Sequence, residues 1–488
     1  MKWLSSALLF YLFSYQTMAF EHFITRKGHQ LFDGEQVFRF AGIHAPELHR
    51  IENDALGTCP DDPRGWGQYF QWPTADEQEN WIKALVKSGH KAMRIYVLSV
   101  EQKSDVACGR ETHILAPSTK GGMPRLNEKA MVVYDRMIAL ADKHGLRLIL
   151  PFIDHWQWWG GREQLAAFYD EPQEAFYDVN SHTYKAYLNI IQQVITRKNT
   201  LTGRHYYAEK AIMAWETGNE LKDTTQPFLD TTVALIDKLA PHQLIVDGNY
   251  LQLNEYAITN PYVDIISNHF YTTNDNNKPQ TIKQNLAQIA GRKAYLVGEF
   301  GLTDADTLNT IMQTAVHYDY QGAQAVGAFI WGFRGHRHNG GFYFHKEYTG
   351  HYSYHLPGFK DAEENQEIAV VELVRLAQAQ MSGLAHAPLL PPPEAPILRP
   401  INTLQNIQWL GAPLGQSYRI ERSVKLEGPW HVIGDNISDG KQAFDPAKNS
   451  LFADKQSLTP GHTYYYRVIA LNVSGASAPS NIQAFKFE

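Results

Sequence analysis

Over residues 35–335 short apolar runs alternate with longer stretches of helical period. The apolar runs read as strands over Val37–Gly42, Ala92–Leu98, Leu146–Ile153, Ala211–Trp215, Leu244–Asp247, Asp264–Asn268, Ala294–Gly298 and Ala325–Trp331. Between them, amphipathic spacing predicts helices over Ala75–Ser88, Glu128–His144, His182–Arg197, Thr231–Leu239, Thr281–Ala290 and Asp306–Tyr320. Eight strands with crossover helices are the pattern of an α/β chain closed into a (β/α)8 barrel with enlarged loops. A doubly wound open sheet is the alternative, but no glycine-rich phosphate loop follows the first strand.

The pattern breaks at Ala387–Pro396 (APLLPPPEAP), where proline is dense enough to predict an extended linker. Beyond it, residues 397–488 show period-two segments at Tyr418–Ser423, Trp430–Ile433 and Thr463–Asn472, separated by turn-rich stretches. These predict a small C-terminal all-β, immunoglobulin-like sandwich with Trp409 and Trp430 in its core. At the other end, Lys2, the apolar run Trp3–Phe13 and Thr17-Met18-Ala19 read as a signal peptide of residues 1–19, cleaved after Ala19. The expected organisation is therefore signal 1–19, barrel domain 20–386, linker 387–396 and β domain 397–488, with a secreted or periplasmic product.

Composition narrows the partners. A net charge of −7 without a long basic run argues against nucleic acid, and no further stretch reads as a membrane span. Aromatic residues make up 12% of the chain, with 11 Trp and 26 Tyr, more than core packing alone asks for. The two cysteines, Cys59 and Cys108, lack metal-site spacing, and in an oxidising compartment they are free to pair.

Chemistry on a barrel belongs at the C-terminal ends of the strands. Strand four ends in Trp215-Glu216-Thr217-Gly218-Asn219-Glu220, and strand seven in Gly298-Glu299-Phe300-Gly301. An acid that follows an apolar run is either paired or used. Two carboxyl groups facing each other across the mouth are what cleavage of a glycosidic bond requires.

With the barrel pattern, Asn219-Glu220 and Glu299 resemble glycoside hydrolase family 5 and its clan. Leu148-Ile149-Leu150-Pro151-Phe152-Ile153 followed by Trp156 and Gly160-Gly161, together with Arg197-Lys198-Asn199-Thr200-Leu201-Thr202-Gly203, is similar to its endo-β-1,4-mannanase subfamily. The C-terminal Tyr464–Asn472 run, followed by Gly475 and Ser477, resembles fibronectin type III modules. The resemblance implies a retaining β-glycosidase acting on β-1,4-mannan or related mannosides. A β-glucanase or an exo-acting β-mannosidase is its nearest rival, and a barrel that only binds carbohydrate is a remote one. It implies Glu220 as acid/base and Glu299 as nucleophile, with Asn219 bonding both the sugar 2-hydroxyl and Glu299. Arg94 would keep the nucleophile ionised, although it could instead simply neutralise Glu216. Tyr271 would donate to Glu299, His269 would support Glu220, and Trp331 would stack under the sugar at the cleavage point.

Two departures from the mannanase pattern fall in cleft-shaping loops: Thr217-Gly218 before Asn219, with Leu221 after Glu220, and Gly42-Ile43-His44-Ala45-Pro46-Glu47 after strand one. In His155-Trp156-Gln157-Trp158-Trp159, packing accounts for one or two tryptophans, and Trp156 and Trp158 are expected as sugar platforms. The loop Arg334–His355 carries His336, His338, His345, His351 and His355. Without acidic or cysteine partners at regular spacing it reads as a cleft wall, not a metal centre. No metal or cofactor is expected, and the chain is expected to act as a monomer on a poly- or oligosaccharide.

Overall fold

The computed structural model describes residues 20–488 apart from 66, 352, 361–364 and 442–444, so the expected signal segment lies outside the described residues. Eight parallel strands form one sheet: β1 (Phe40–His44), β2 (Ala92–Arg94), β3 (Arg147–Pro151), β4 (Ile212–Glu216), β5 (Leu244–Gly248), β6 (Ile265–Tyr271), β7 (Ala294–Gly301) and β8 (Gly327–Trp331). Their order is β1-β8-β7-β6-β5-β4-β3-β2. The two ends of this ladder meet where the amide of Ala45 donates to Arg94 (3.3 Å) and that of Tyr96 to Pro46 (3.4 Å), closing the barrel.

The helices α1 (Ala75–Ser88), α2 (Glu128–His144), α3 (Arg162–Ala167), α4 (His182–Ile195), α5 (Gln226–Leu239), α6 (Glu255–Thr259), α7 (Pro279–Ile289), α8 (Ala305–His317) and α9 (Glu367–Met381) surround it. The predicted limits of α1 and α2 coincide with the observed ones because both ends of each are signalled locally. Thr74 and Glu77 form a capping box on α1, Asn127 caps α2, and left-handed Gly89 and Gly145 stop them. Helix α5 starts earlier than its apolar period suggests, since Thr225 caps it and a proline sits in its first turn.

The first predicted strand is corrected. Val37 belongs to a separate antiparallel sheet, Ile24–Lys27, Gln30–Asp33 and Gln36–Val37, and the barrel strand begins only at Phe40. Ile24 and Leu31 of that sheet pack with Phe38, Phe40 and Phe329 under the barrel. A run of apolar residues cannot by itself reveal that it crosses from one sheet into another.

The C-terminal region is all β. Strands β9 (Ser417–Ser423), β10 (His431–Ile437), β11 (Thr463–Asn472) and β12 (Gln483–Lys486), with Gly475–Ala476, form a sheet in which β11 pairs both β9 and β12. Alternation along β11 buries Tyr464, Tyr466, Val468 and Ala470 against Trp409, Tyr418 and Ile420. Trp409 is a core residue as expected, but Trp430 is not. It lies half-buried on the sheet's outside, with the Arg467 guanidinium 4.3 Å from its ring. The Pro-rich segment is extended and docked, since Glu394 ion-pairs with Lys83 (3.0 Å) and Lys87 (3.1 Å) of α1. Cys59 and Cys108 are disulfide-bonded, tying the loop after β1 to that after β2.

Candidate active site

Two backbone devices aim the catalytic candidates into the mouth. Where β6 faces β7, Asn268 opposes Val297 and His269 opposes Glu299, so Gly298 is an extra residue; the pairing of β7 with β8 shifts at the same place. Such a bulge turns the next side chain, and here that side chain is Glu299. Only glycine fits, because a Cβ on Gly298 would stand 2.4 Å from Ser267 Oγ and 2.9 Å from His269 Nε2.

After β4 the chain runs on as a ribbon between the neighbouring loops. The amide of Asn219 donates to Ile153 (2.8 Å) and that of Leu221 to Gly248 (2.9 Å). A Cβ on Gly218 would meet the Ile153 carbonyl at 2.6 Å, which accounts for one of the departures noted above. Glu220 has φ of +53°, a left-handed conformation that a non-glycine residue keeps only when its surroundings impose it.

The two carboxylates come together: Glu220, His269 and Glu299 each offer an atom within 4.8 Å of the others. Their environments differ. Glu299 accepts from Arg94 Nη1 (2.6 Å) and Tyr271 Oη (2.7 Å), a cation and a hydroxyl. Arg94 also forks onto Glu216 through Nε (2.6 Å) and Nη2 (2.9 Å). It thus has both of the roles set against each other in the sequence. Burial raises the Glu299 carboxyl, and the Arg94 charge and the Tyr271 hydrogen bond offset part of that rise. Tyr271 itself is held protonated, burial and Glu299 pushing it well above the usual phenol range.

Glu220 receives only neutral donors. The Trp156 indole bonds its Oε2, and His269 Nδ1 lies 2.8 Å from its Oε1. Burial lowers His269 to about 4, so the ring is uncharged near neutrality. Burial raises Glu220 to about 7, against the Trp156 hydrogen bond and the charges of Arg94 and Lys222. Burial raises both carboxyls, but of the two only Glu299 accepts from a cation, so side by side the sites differ in how well they hold a charge.

Asn219 is corrected in part. Its Oδ1 accepts from Arg94 Nη2 (2.9 Å) and its Nδ2 donates to Asp154 Oδ1 (3.0 Å); among the described residues it makes no bond to Glu299. Arg94 has taken that place because its fork reaches Asn219 and Glu299 together.

A cleft of about 330 Å³ opens above these groups, lined by Trp156, Trp158, Trp331, Asn219, Glu220, Glu299, Tyr271, Tyr96, Tyr250, Leu302, Glu347 and Tyr348. Of the tryptophan trio, Trp159 is buried packing, while Trp156 and Trp158 face the cleft. The loop after β8 walls the cleft through Glu347 and Tyr348. Its histidines lie against carboxylates: His345 on Asp54 (3.0 Å), His355 on Glu367 (3.0 Å), His336 on Asp439 (3.2 Å) and His338 on Glu77 (3.3 Å). His351 instead lies 3.1 Å from Thr349 Oγ1.

Sequence reasoning missed His44, which accepts from Arg94 (3.0 Å) as an uncharged ring. It also missed Asp154, which anchors Asn219 and Tyr96. Both are polar residues at barrel strand ends, and that position was the available signal.

A family model described as GH (glycoside hydrolase) family 5 beta-mannosidase-like matches residues 74–320. Putative mannan endo-1,4-beta-mannosidase 5 of Oryza sativa subsp. japonica is 34% identical over 131 residues, 26% of this chain and 26% of the relative. Mannan endo-1,4-beta-mannosidase 8 of the same plant is 27% identical over 231 residues, 37% of this chain and 61% of the relative. The chain thus spans between about a quarter and three fifths of the length of these curated relatives. Among solved structures, the glycoside hydrolase family 5 mannosidase from Rhizomucor miehei superposes with a TM-score of 0.56 at 16% identity, covering 74% of this chain and 98% of that one. The endo-beta-1,4-mannanase from Thermotoga petrophila gives 0.55 at 14% identity, covering 92% and 98%. At such identities the structures show the shared barrel fold.

Proposed function

Because the chain belongs to the GH family 5 beta-mannosidase-like family, we propose that it hydrolyses β-1,4-mannan or related mannosides with net retention. One observation carries the reading: Glu220 and Glu299, on the ends of different strands, bring carboxylate oxygens within 4.8 Å of each other. Retaining enzymes hold the pair about 5–5.5 Å apart, whereas inverting ones leave about 6.5–9.5 Å for a water.

In the first step Glu299, paired with Arg94 and Tyr271, attacks the anomeric carbon while protonated Glu220 gives its proton to the leaving oxygen. In the second, Glu220 takes a proton from water, which displaces Glu299 and restores the original configuration. His269, uncharged and bonded to Glu220, orients the carboxyl in both steps. Trp331 supplies the ring face under the sugar at the cleavage point, and Trp156 and Trp158 extend the platform.

The sugar class is supported by the names of the plant relatives and by the Rhizomucor miehei mannosidase, a mutant of which was solved in complex with mannosyl-fructose. Export fits the N-terminal pattern and the Cys59–Cys108 disulfide. The C-terminal sheet, with its alternating core, fits a fibronectin type III-like module that, among the described residues, puts no group into the cleft.

Product analysis on mannan, glucomannan and cellulose, with the anomeric configuration of the first product followed by NMR, tests this. Mannooligosaccharides appearing first as β-anomers are expected from mannan. First products of α configuration overturn retention, and cleavage of cellulose alone overturns the sugar class. Release of mannose only, from chain ends, assigns exo action.

A further inference from the structure

The cleft holds a third carboxylate, Glu347, which the double displacement does not use. It sits on the loop after β8 and is 14% exposed. Its Oε1 accepts from the Trp331 indole (2.6 Å) and lies 3.6 Å from His345 Nε2. Both contacts engage the same oxygen, so among the described residues Oε2 has no hydrogen-bond partner.

His345 anchors this arrangement. Its Nδ1 is 3.0 Å from Asp54 and 3.7 Å from Glu52, and Glu52 in turn accepts from the Trp158 indole (2.9 Å). Three carboxylates around one imidazole keep it protonated, raised well above the usual histidine range despite burial. Through that cation Glu347 is drawn below the ordinary carboxylate value and stays ionised. The indole N–H groups of two cleft tryptophans are thus tied to one charged relay, Trp158–Glu52–His345–Glu347–Trp331. Glu347 can neither swing away nor discharge readily.

A fixed carboxylate with one open oxygen, at the edge of the ring on which the sugar stacks, calls for hydroxyl donors. We propose that Glu347 is a substrate-binding, specificity-determining residue that accepts a hydrogen bond from a hydroxyl of the sugar seated on Trp331. The proposal rests on the reading of the cleft as a mannoside site. His345 is then a positioning residue that acts through Glu347.

The test compares wild type and Glu347→Gln on a nitrophenyl β-mannoside and on analogues each lacking one hydroxyl. Glutamine keeps the shape and still accepts from Trp331. The variant is expected to lose about 10- to 100-fold in kcat/KM on the parent, the range of a charged hydrogen bond. One deoxy analogue should cost the wild type a similar factor and cost the variant nothing further. Glu347→Asp, which keeps the charge but is one methylene shorter, should fall between them, and it serves as the test if the glutamine variant does not fold. Unchanged kcat/KM in these variants, or losses that add in full for every analogue, overturn the proposal. If the wild type cleaves glucosides in place of mannosides, the sugar assignment fails by itself, and the same comparison with deoxyglucosides still decides the role of Glu347.

Discussion

The barrel strands carry one kind of chemistry at their beginnings and another at their ends. Near the base, Phe40, Ala92, Ile149, Met213, Leu296 and Phe329 pack on Ile24 and Leu31 into an apolar plug. At the mouth, His44, Arg94, Glu216, His269 and Glu299 are as deeply buried, yet every one is polar. The base is stabilised by apolar area, which is non-directional and tolerates exchange of similar volumes. The mouth is stable only while each charge keeps its partner, since an unpaired buried charge costs several kcal/mol. Altering the base should therefore change how much protein is folded, and altering the mouth, where Arg94 keeps Glu216 even without Glu299, should change chiefly what the folded protein does.

Four substitutions probe that division. Glu299→Ala should lower kcat by roughly 10⁴-fold or more, as loss of a nucleophile does, while far-ultraviolet circular dichroism stays that of wild type; an active variant would end the nucleophile assignment. Phe40→Ala at the base should cost about 3–5 kcal/mol of stability, read from the urea midpoint, and leave kcat of the folded fraction as it was. A large kcat loss there would show that base and mouth are not separable.

Gly298→Ala sits between the regions. The added methyl drives against Ser267 and His269, and kcat should drop on the order of 10²-fold from misplacing His269 and the bulge. A fall seen only in stability would make Gly298 a packing residue. The smallest effect is in the pH profile. Glu220, raised to about 7, must be protonated in the first step, so kcat/KM should fall as pH rises through about 7. Trp156→Phe removes a hydrogen bond that favours the charged form, so the alkaline limb should move to higher pH, by up to about one unit. A limb that moves to lower pH would contradict the donor role of Trp156.

Much of this was legible in one dimension. Helices α1 and α2 were placed to the residue because capping and stop signals are local, and β11 because alternation with a buried face has period two. Glu220 and Glu299 were legible as acids at the ends of apolar runs. Arg94, His269 and Tyr271 were named through family resemblance and meet them at 2.6–2.8 Å.

Tertiary structure alone decided the rest. Val37 and the strand Phe40–His44 could be parted only by seeing two sheets, because they are near neighbours in the chain. Asn219 bonds Arg94 and Asp154 because the end of β2 and the loops after β3 and β4 converge there, which sequence spacing cannot express. Among the histidines after β8, His345 found its acidic partner Asp54 291 positions away. The sequence by itself determined which residues had to be buried and which acids had no structural reason to be among them. The closure of the barrel determined which of them share a proton, a charge or a sugar, because those are matters of a few ångströms between residues far apart in the chain.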